Sequence, residues 1–446
     1  MEKKLHFSEY LTITSMLFGL FFGAGNLIFP VSMGQLAGQN LWQAVLGFLV
    51  TGVGLPLLGV AALGISRCGG LAELSARVGR RYSVFFTCAL YLTIGPFFAI
   101  PRCATVSYTV GVEPMLGGSP LALAVFSGIF FLAVLFFSLR PSGILTWVGK
   151  VLNPIFLVSL GILVVRALLS PMGQVSAVEP TGAYGNDAFF TGFLEGYNTL
   201  DALAGLAFGI IVVNVIHGLG VTKPEAVAGS TVRAGIFSCL LMGVIYVATA
   251  LMGAQSRGIF PASANGGEAL ALIADHYFGR AGGWILAVTV TFACLKTAVG
   301  LITSCAETFV GMFPKGPGYR AWAVIFCVGA LMIANLGLNA IISYSLPVLM
   351  FLYPLAITLI LLSLCGRFFG DDRRVYVCVT VCTLIPAVLD FLKALPDAAR
   401  SALHIDGLIA GVGKVLPFFD LGLGWLVPAV LGLMVGLALH MTRKTA

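Results

Sequence analysis

The sequence predicts an all-α integral membrane protein, a helical bundle organised as an inverted repeat with two broken spans. Three observations carry this expectation. The chain is 59% hydrophobic and only 10% charged, with a mean hydropathy of +1.01, whereas soluble proteins carry about 25% charged residues. Its apolar residues fall into runs of roughly 20, the length that crosses a hydrocarbon core of about 30 Å. Two of these runs, in corresponding positions of two five-helix halves, are interrupted by glycine and asparagine, a pattern that points to a transporter site built from discontinuous helices.

Twelve spans are expected, at residues 10–36, 41–65, 84–110, 121–139, 147–169, 188–217, 226–253, 282–310, 321–335, 338–364, 375–395 and 417–440. Backbone groups in lipid must be satisfied internally, which leaves helices or closed barrels. Runs this long and uniformly apolar are helices. Residues 1–446 read as a single transmembrane domain, with 10–169 a first five-helix repeat, 188–364 a second, inverted one, and 375–440 two additional helices. The opening MEKKLHFSEY is basic, but the run after it is too long for a signal peptide and has no small-residue cleavage site. It is read as a permanent span.

Charge sets the orientation. With the N-terminus in the cytoplasm, the inner segments hold 17 of the 25 Lys and Arg residues and the outer segments 6, leaving Arg102 and Lys296 inside spans. Lys and Arg concentrate in cytoplasmic loops, so both termini are placed there. The net charge of +7 then faces anionic lipid and calls for no nucleic acid. The ten cysteines show no metal-type spacing and read as small core residues. Of the two longer outer connections, 254–281 contains GGEALALIADHYFG. Its Leu270, Ile273, Ala274 and Tyr277 recur at helical spacing. This is a short helix over the outer face, either a lid or an interfacial cap.

The first break is Gly23-Ala24-Gly25-Asn26. An unwound helix frees N–H and carbonyl groups, which is tolerated only where a cavity or ligand supplies partners. The following half-helix offers N–H groups and a positive dipole end, suited to a carboxylate. Gly19 and Gly23 also form a small-residue packing pair. Asn26 and Pro30 favour a discontinuous site over packing alone. The second break lies near Gly196-Tyr197-Asn198-Thr199, followed by Asp201. An acid there fits a helix start, a capping side chain and then a carboxylate in the first turn. It also fits an ammonium or cation ligand, because intramembrane acids are functional candidates.

Two cations lie inside spans. Arg102 follows Pro96 and Pro101, which make the third span irregular. It is a candidate for a structural or gating pair, for carbonyls freed near the prolines, or for a substrate carboxylate. Lys296 lies midway along the eighth span, in ACLKTAVG. There it stands in for a monovalent cation, cycles a proton, or snorkels to an interface.

Five segments in order, FFGAGNLIFP, GPFFAIPRCATVSYTVG, GFLEGYNTLDALAGLAFGI, TAVGLIT and SLPVLMFLYP, resemble the bacterial branched-chain amino acid transport system II carriers, the leucine–isoleucine–valine:cation symporter family. The resemblance covers residues 10–440. It implies the leucine-transporter-like 5+5 inverted repeat of the amino acid–polyamine–organocation superfamily, with broken first and sixth helices and two extra. It implies Na⁺-coupled uptake of Leu, Ile and Val across the bacterial inner membrane. By that resemblance Gly23, Ala24, Gly25 and Asn26 receive the substrate carboxylate. Tyr197, Asn198 and Thr199 receive the amine and line the side-chain pocket, beside Asp201. The Na⁺ site falls on Gly19, Phe22, Ala293, Lys296 and Thr297. Lys296 replaces the family's first hydroxyl ligand, so a proton-coupled or cation-independent permease is the alternative.

No cofactor is expected beyond the coupling ion, Na⁺ or H⁺, and the partners are the small substrate and the bilayer. A channel or membrane-embedded enzyme is the expectation from another class. The five histidines sit in loops or at span ends, with no metal or nucleotide motif, which disfavours an enzyme. A channel would need charge rings or a filter, normally supplied by oligomers.

Overall fold

The computed structural model describes residues 5–66, 68–139, 153–221 and 223–444. Lys3, Lys4, Arg67, Arg140 and Lys150 of the charge count, and the expected start of the fifth span at 147–152, lie outside the described residues. Among the described residues every regular element is helical.

The first run is two helices, α1 (Phe7–Phe21) and α2 (Ala24–Ala37). The second is α3 (Leu41–Leu49), a π-helical turn at Val50–Gly54, and α4 (Leu55–Ser66). The third is α5 (Arg80–Leu92) and α6 (Ala99–Gly111), separated by a distorted turn in which Gly95 leaves helical geometry. Pro96 sits in that turn and cannot donate a helical N–H. The irregularity expected of the third span is present. Then come α7 (Pro120–Ser138) and α8 (Asn153–Leu169). The sixth run is α9 (Ala188–Glu195) and α10 (Asp201–Gly218), split by a tight turn at Gly196–Thr199. The remainder is α11 (Pro224–Ser256), α12 (Gly266–Met312), α13 (Tyr319–Ala334), α14 (Leu338–Cys365), α15 (Arg373–Ala394), α16 (Asp406–Val415) and α17 (Leu426–Lys444).

Among the described residues, eight helical stretches are long and apolar enough to cross a bilayer. Four shorter apolar helices join them: Phe7–Phe21, Pro154–Leu169, Tyr319–Ala334 and Leu426–Thr442. Outward-facing apolar side chains such as Leu132, Val158, Val244, Trp284 and Met332 clothe the bundle.

The connections gather at two ends. At the end carrying the chain start, Arg77 pairs with Asp371 at 2.6 Å and with the Tyr376 hydroxyl at 2.9 Å. At the far end Thr181 N–H donates to Leu36 O and Asn265 to Asn339. The expected helix at 266–279 is present as the first part of α12, ended by Gly279 at φ +57°. Leu270, Ile273 and Ala274 are buried, and the Tyr277 hydroxyl donates to Ser170 O at 2.6 Å.

One expected boundary moves. The twelfth span begins at Leu426 rather than 417, because residues 416–425 form a loop with Phe418 at φ +61° and Gly422 at φ +72°. Pro417 and two glycines there oppose helix formation. The preceding connection is itself helical, in Asp397–Leu403 and α16.

Close backbone approach sets the sixth run against the second. A Cβ on Gly192 would lie 2.0 Å from Ala44 O, and one on Gly47 would lie 1.9 Å from Phe189 O. Only glycine fits where α3 and α9 meet, the small-residue packing typical of membrane helices.

Candidate functional site

The two breaks face one another at the centre of the bundle. α1 ends at Phe22, whose N–H donates to Phe18 O at 2.7 Å. Gly23 is extended, and its N–H turns to the Asn26 side-chain Oδ1 at 2.8 Å instead of back into α1. That turn leaves the last carbonyls of α1 without helical donors. The break is therefore Phe22–Gly23, and Ala24, Gly25 and Asn26 form the first turn of α2.

In the sixth run, Leu200 takes the left-handed conformation at φ +66°. Such a conformation costs an L residue about 1 kcal/mol or more and persists only when its surroundings hold it. The Thr199 hydroxyl supplies part of that hold, donating to Gly196 O at 2.9 Å and accepting from Asp201 N–H at 3.3 Å. The capping role expected here falls to Thr199.

Asp201 joins the breaks. Its Oδ2 accepts from Asn26 Nδ2 at 2.6 Å and from the Tyr246 hydroxyl at 2.7 Å. Asn26 Nδ2 also contacts the Tyr246 oxygen. Asn26, Asp201 and Tyr246 are each 1% exposed, so first, sixth and seventh runs meet in one buried polar cluster. A buried carboxylate requires such donors.

Arg102 reaches the same place from α6. Nη1 donates to Asn198 O at 2.5 Å and Nη2 to Ser345 Oγ at 3.1 Å, while the guanidinium lies 4.9 Å over the Phe29 ring. Its partner carbonyl belongs to the sixth-run break, not to the prolines of its own span. Asn198 Nδ2 is in turn 3.4 Å from Glu195 Oε2.

A small cavity of about 40 Å³ lies between the breaks. Gly23, Ala24, Gly25 and Asn26 line it from the first run, and Thr199 and Asp201 from the sixth. Arg102 and Thr297 complete the polar wall; Leu20, Phe21, Ile94, Phe208 and Leu301 make the rest apolar. Tyr197 and Asn198 stand behind this wall. Tyr197 is fully buried, its ring stacked on Tyr353 with centroids 3.9 Å apart. The carbonyls of Gly196, Tyr197 and Asn198 each accept a bond already, from Thr199, Leu200 and Arg102.

Next to the cavity, the Thr297 hydroxyl lies 3.1 Å from Ala293 O and 3.4 Å from Phe22 O. This brings three of the expected cation-site residues together. Gly19 is buried on α1 within one turn of Phe22, and Lys296 is 5% exposed beside Thr297. Gly19, Phe22, Ala293 and Lys296 do not line the cavity itself.

Tyr246, Phe29, Ser345 and Glu195 escaped the sequence reading. Tyr246 lies in an otherwise apolar stretch, GVIYVATA, where a lone tyrosine carries no motif. Glu195 sits in the quoted GFLEGYN and was legible as an intramembrane acid.

A helical bundle with a partly polar cavity between two broken helices defines a membrane transport protein. Two solved structures share the fold. A nucleobase-cation-symport-1 family transporter, Mhp1, closed with bromovinylhydantoin bound, matches with a TM-score of 0.61 at 15% identity, covering 98% of this chain and 93% of that one. MhsT in complex with L-phenylalanine matches at 0.57 and 15%, covering 98% and 99%. The family described as branched-chain amino acid transport protein matches residues 6–443.

Relatives agree along nearly the whole chain. The branched-chain amino acid permease BrnQ of Lactobacillus delbrueckii subsp. lactis is 55% identical over 431 residues, 96% of each chain. BrnQ of Bacillus subtilis is 42% identical over 99% of each. A branched-chain amino acid transport system 2 carrier of Pseudomonas aeruginosa is 40% identical over 96% of this chain and 95% of its own. The chain belongs to the branched-chain amino acid transport protein family, a family of carriers rather than enzymes.

Proposed function

We propose that this protein is a secondary active carrier that takes up Leu, Ile and Val across the bacterial inner membrane by cation-coupled alternating access. The observation that carries the reading is the cavity between the two breaks, lined by the α2 N-terminus and by both polar and apolar side chains. The first-turn N–H groups of Ala24, Gly25 and Asn26 bind the substrate carboxylate, as helix N-termini bind anions. Asp201 supplies negative charge for the ammonium. Tyr197, Asn198 and Thr199 hold the sixth-run break in register, with Thr199 at the cavity surface. Ile94, Phe208 and Leu301 take the branched side chain. An apolar pocket separates side chains differing by one methylene by only about 1–3 kcal/mol, so the three substrates share one site.

The architecture we propose is twelve spans, with a 5+5 inverted repeat at 10–169 and 188–364 and two further helices. Both termini are cytoplasmic, and the far end of the bundle is extracellular. The paired breaks support this, as does the packing of α6 along α12, the third and eighth spans of the repeat. The coupling ion is Na⁺ by family resemblance, bound by Gly19 O, Phe22 O, Ala293 O and the Thr297 hydroxyl. A second reading has an observation of its own. Lys296 is buried beside Thr297, where an ammonium would replace Na⁺ and make transport proton-coupled or cation-independent.

Leucine uptake into proteoliposomes under separate Na⁺ and H⁺ gradients tests both, with Lys296→Thr in parallel. Na⁺-driven uptake is expected of the first reading. Na⁺ dependence gained only in Lys296→Thr is expected of the second. Saturable uptake without either gradient effect contradicts coupling, and absence of leucine transport contradicts the carrier.

A further inference from the structure

Asp390 stands outside the machinery described so far. It lies on α15, in the two-helix segment after the repeat, four residues beyond Pro386. The residue is 1% exposed, and neither carboxylate oxygen has a hydrogen-bond partner. A charged carboxylate so placed is costly, and every buried polar atom left unpaired needs an explanation. A cap or a structural ion pair would have used at least one oxygen.

Its surroundings point toward the sixth-run break. The Tyr197 hydroxyl lies within electrostatic reach of Asp390, and it too has no partner. Tyr197 stacks on Tyr353 with ring centroids 3.9 Å apart. The buried Asp390 carboxylate and Tyr197 hydroxyl are thus two orphaned polar groups that act on one another, one on α15 and one in the turn at Gly196–Leu200.

A second link runs over the top. Lys393, one turn beyond Asp390, donates to Phe419 O at 2.7 Å and Asp420 O at 2.9 Å. It pins the loop 416–425. That loop presses on the outer half of the sixth run, where a Cβ on Gly422 would lie 2.8 Å from Leu194 and 2.7 Å from Met350. An ionised Asp390 competes with those two carbonyls for the Lys393 ammonium; a neutral one leaves the loop clamped.

The titratable groups that act on Asp390 are Tyr197 and Lys393; Asp420 acts on Lys393, and Tyr353 lies behind Tyr197. On the helices packed against α15, His440 of α17 is bound to Asp372 at the opposite end. Asp406, at the start of α16, pairs with Arg400 at 3.7 Å.

We propose that Asp390 is an intramembrane proton-binding site that controls the broken sixth run through Tyr197 and the Lys393-held loop. The proton enters from the extracellular side, forms one O–H bond on a carboxylate oxygen and leaves by the same bond breaking, with no other covalent change. A metal cation would need several further oxygens, whereas a proton needs one. The proposal rests on the carrier reading and adds a proton site separate from the substrate cavity and from Lys296.

The test uses the full-length protein in proteoliposomes, comparing wild type with Asp390→Asn, a neutral isostere. Two assays run side by side: leucine counterflow at equal pH, and leucine uptake with the outside acidified and no Na⁺ gradient. We expect wild-type uptake to rise roughly 5-fold or more on acidification, the lower edge of a typical coupling effect. Asp390→Asn should show no rise while keeping counterflow. A wild-type proton response in the variant overturns the proposal, and so does a wild type that ignores the proton gradient. A response to an imposed Na⁺ gradient that disappears in Asp390→Asn overturns the proton assignment in favour of the metal cation. Failure of counterflow in wild type removes the carrier reading itself. Infrared difference spectra provide a readout independent of transport: a protonated-carboxyl band present in wild type and missing in Asp390→Asn is expected, and identical spectra contradict the site.

Discussion

Asn26 Nδ2 donates to Asp201 Oδ2 at 2.6 Å, tying the first turn of α2 to the first turn of α10 across 175 residues of sequence. Each broken helix restarts at this contact, and Tyr246 closes it from the seventh run. The bond holds two half-helix N-termini beside one cavity.

Tyr246→Phe removes one donor from a buried carboxylate and leaves the ring in place. Hydrogen bonds to charged groups contribute about 1.5–3 kcal/mol. Leucine transport should fall roughly tenfold or more, and the detergent-solubilised protein should melt at lower temperature. Unchanged transport and melting would show that Asp201 is held adequately by Asn26 alone.

Arg102→Lys keeps the charge but not the fork. The guanidinium reaches Asn198 O and Ser345 Oγ at once, whereas a lysine is a single point charge. Uptake by the lysine variant should drop by about an order of magnitude with normal membrane abundance. Full activity would mean that charge alone is required there.

The first part of α12 begins at Gly266, where a Cβ would lie 1.8 Å from Ile28 O. Gly266→Val must push this helix off α2. If the segment is a lid, the variant should lose transport while its melting temperature changes little. Equal loss of stability and transport would assign it a capping role instead.

Outside the spans, Asp372 caps α15. Its Oδ1 accepts from Arg374 N–H at 3.0 Å, and its Oδ2 lies 2.9 Å from His440 Nδ1. The His440 contact, and then the Arg374 N–H, hold its carboxyl below the usual range. A carboxyl depressed on folding stabilises above its unfolded value, near pH 3.9. That contribution is lost as pH falls through the lower folded value. Hydrogen exchange at residues 372–376, corrected for intrinsic rates, should therefore be slow at neutral pH and accelerate only in strong acid. Acceleration already between neutral and mildly acidic pH would contradict this.

The first break was readable because Gly23, Gly25 and Asn26 are poor choices inside an apolar helix, so local chemistry announced it. Its position shifted by only a residue or two, since Asn26 bonds Gly23 N–H and starts α2 early. The second break was readable for the same reason. The partners were not. That Arg102 reaches Asn198 O rather than a carbonyl near its own prolines depends on how α6 packs against the sixth run, a contact across 96 residues. Tyr246 and Ser345 carry no local signal, because a hydroxyl in an apolar run becomes functional only through what faces it. The late start of α17 had a local signal in Pro417, Gly422 and Gly424, while the hold of Lys393 on that loop did not.

The central claim is that the cavity between the breaks holds the branched-chain amino acid. Gly25 tests it most directly, because a Cβ there already lies 3.3 Å from the Phe29 ring and 3.4 Å from Asn198 O. The decisive measurement is leucine counterflow in proteoliposomes containing equal amounts of wild type or Gly25→Leu. Wild type should show saturable counterflow competed by Ile and Val and more weakly by Ala, and Gly25→Leu should show none while remaining folded and inserted. Wild-type counterflow by Gly25→Leu would place the substrate elsewhere.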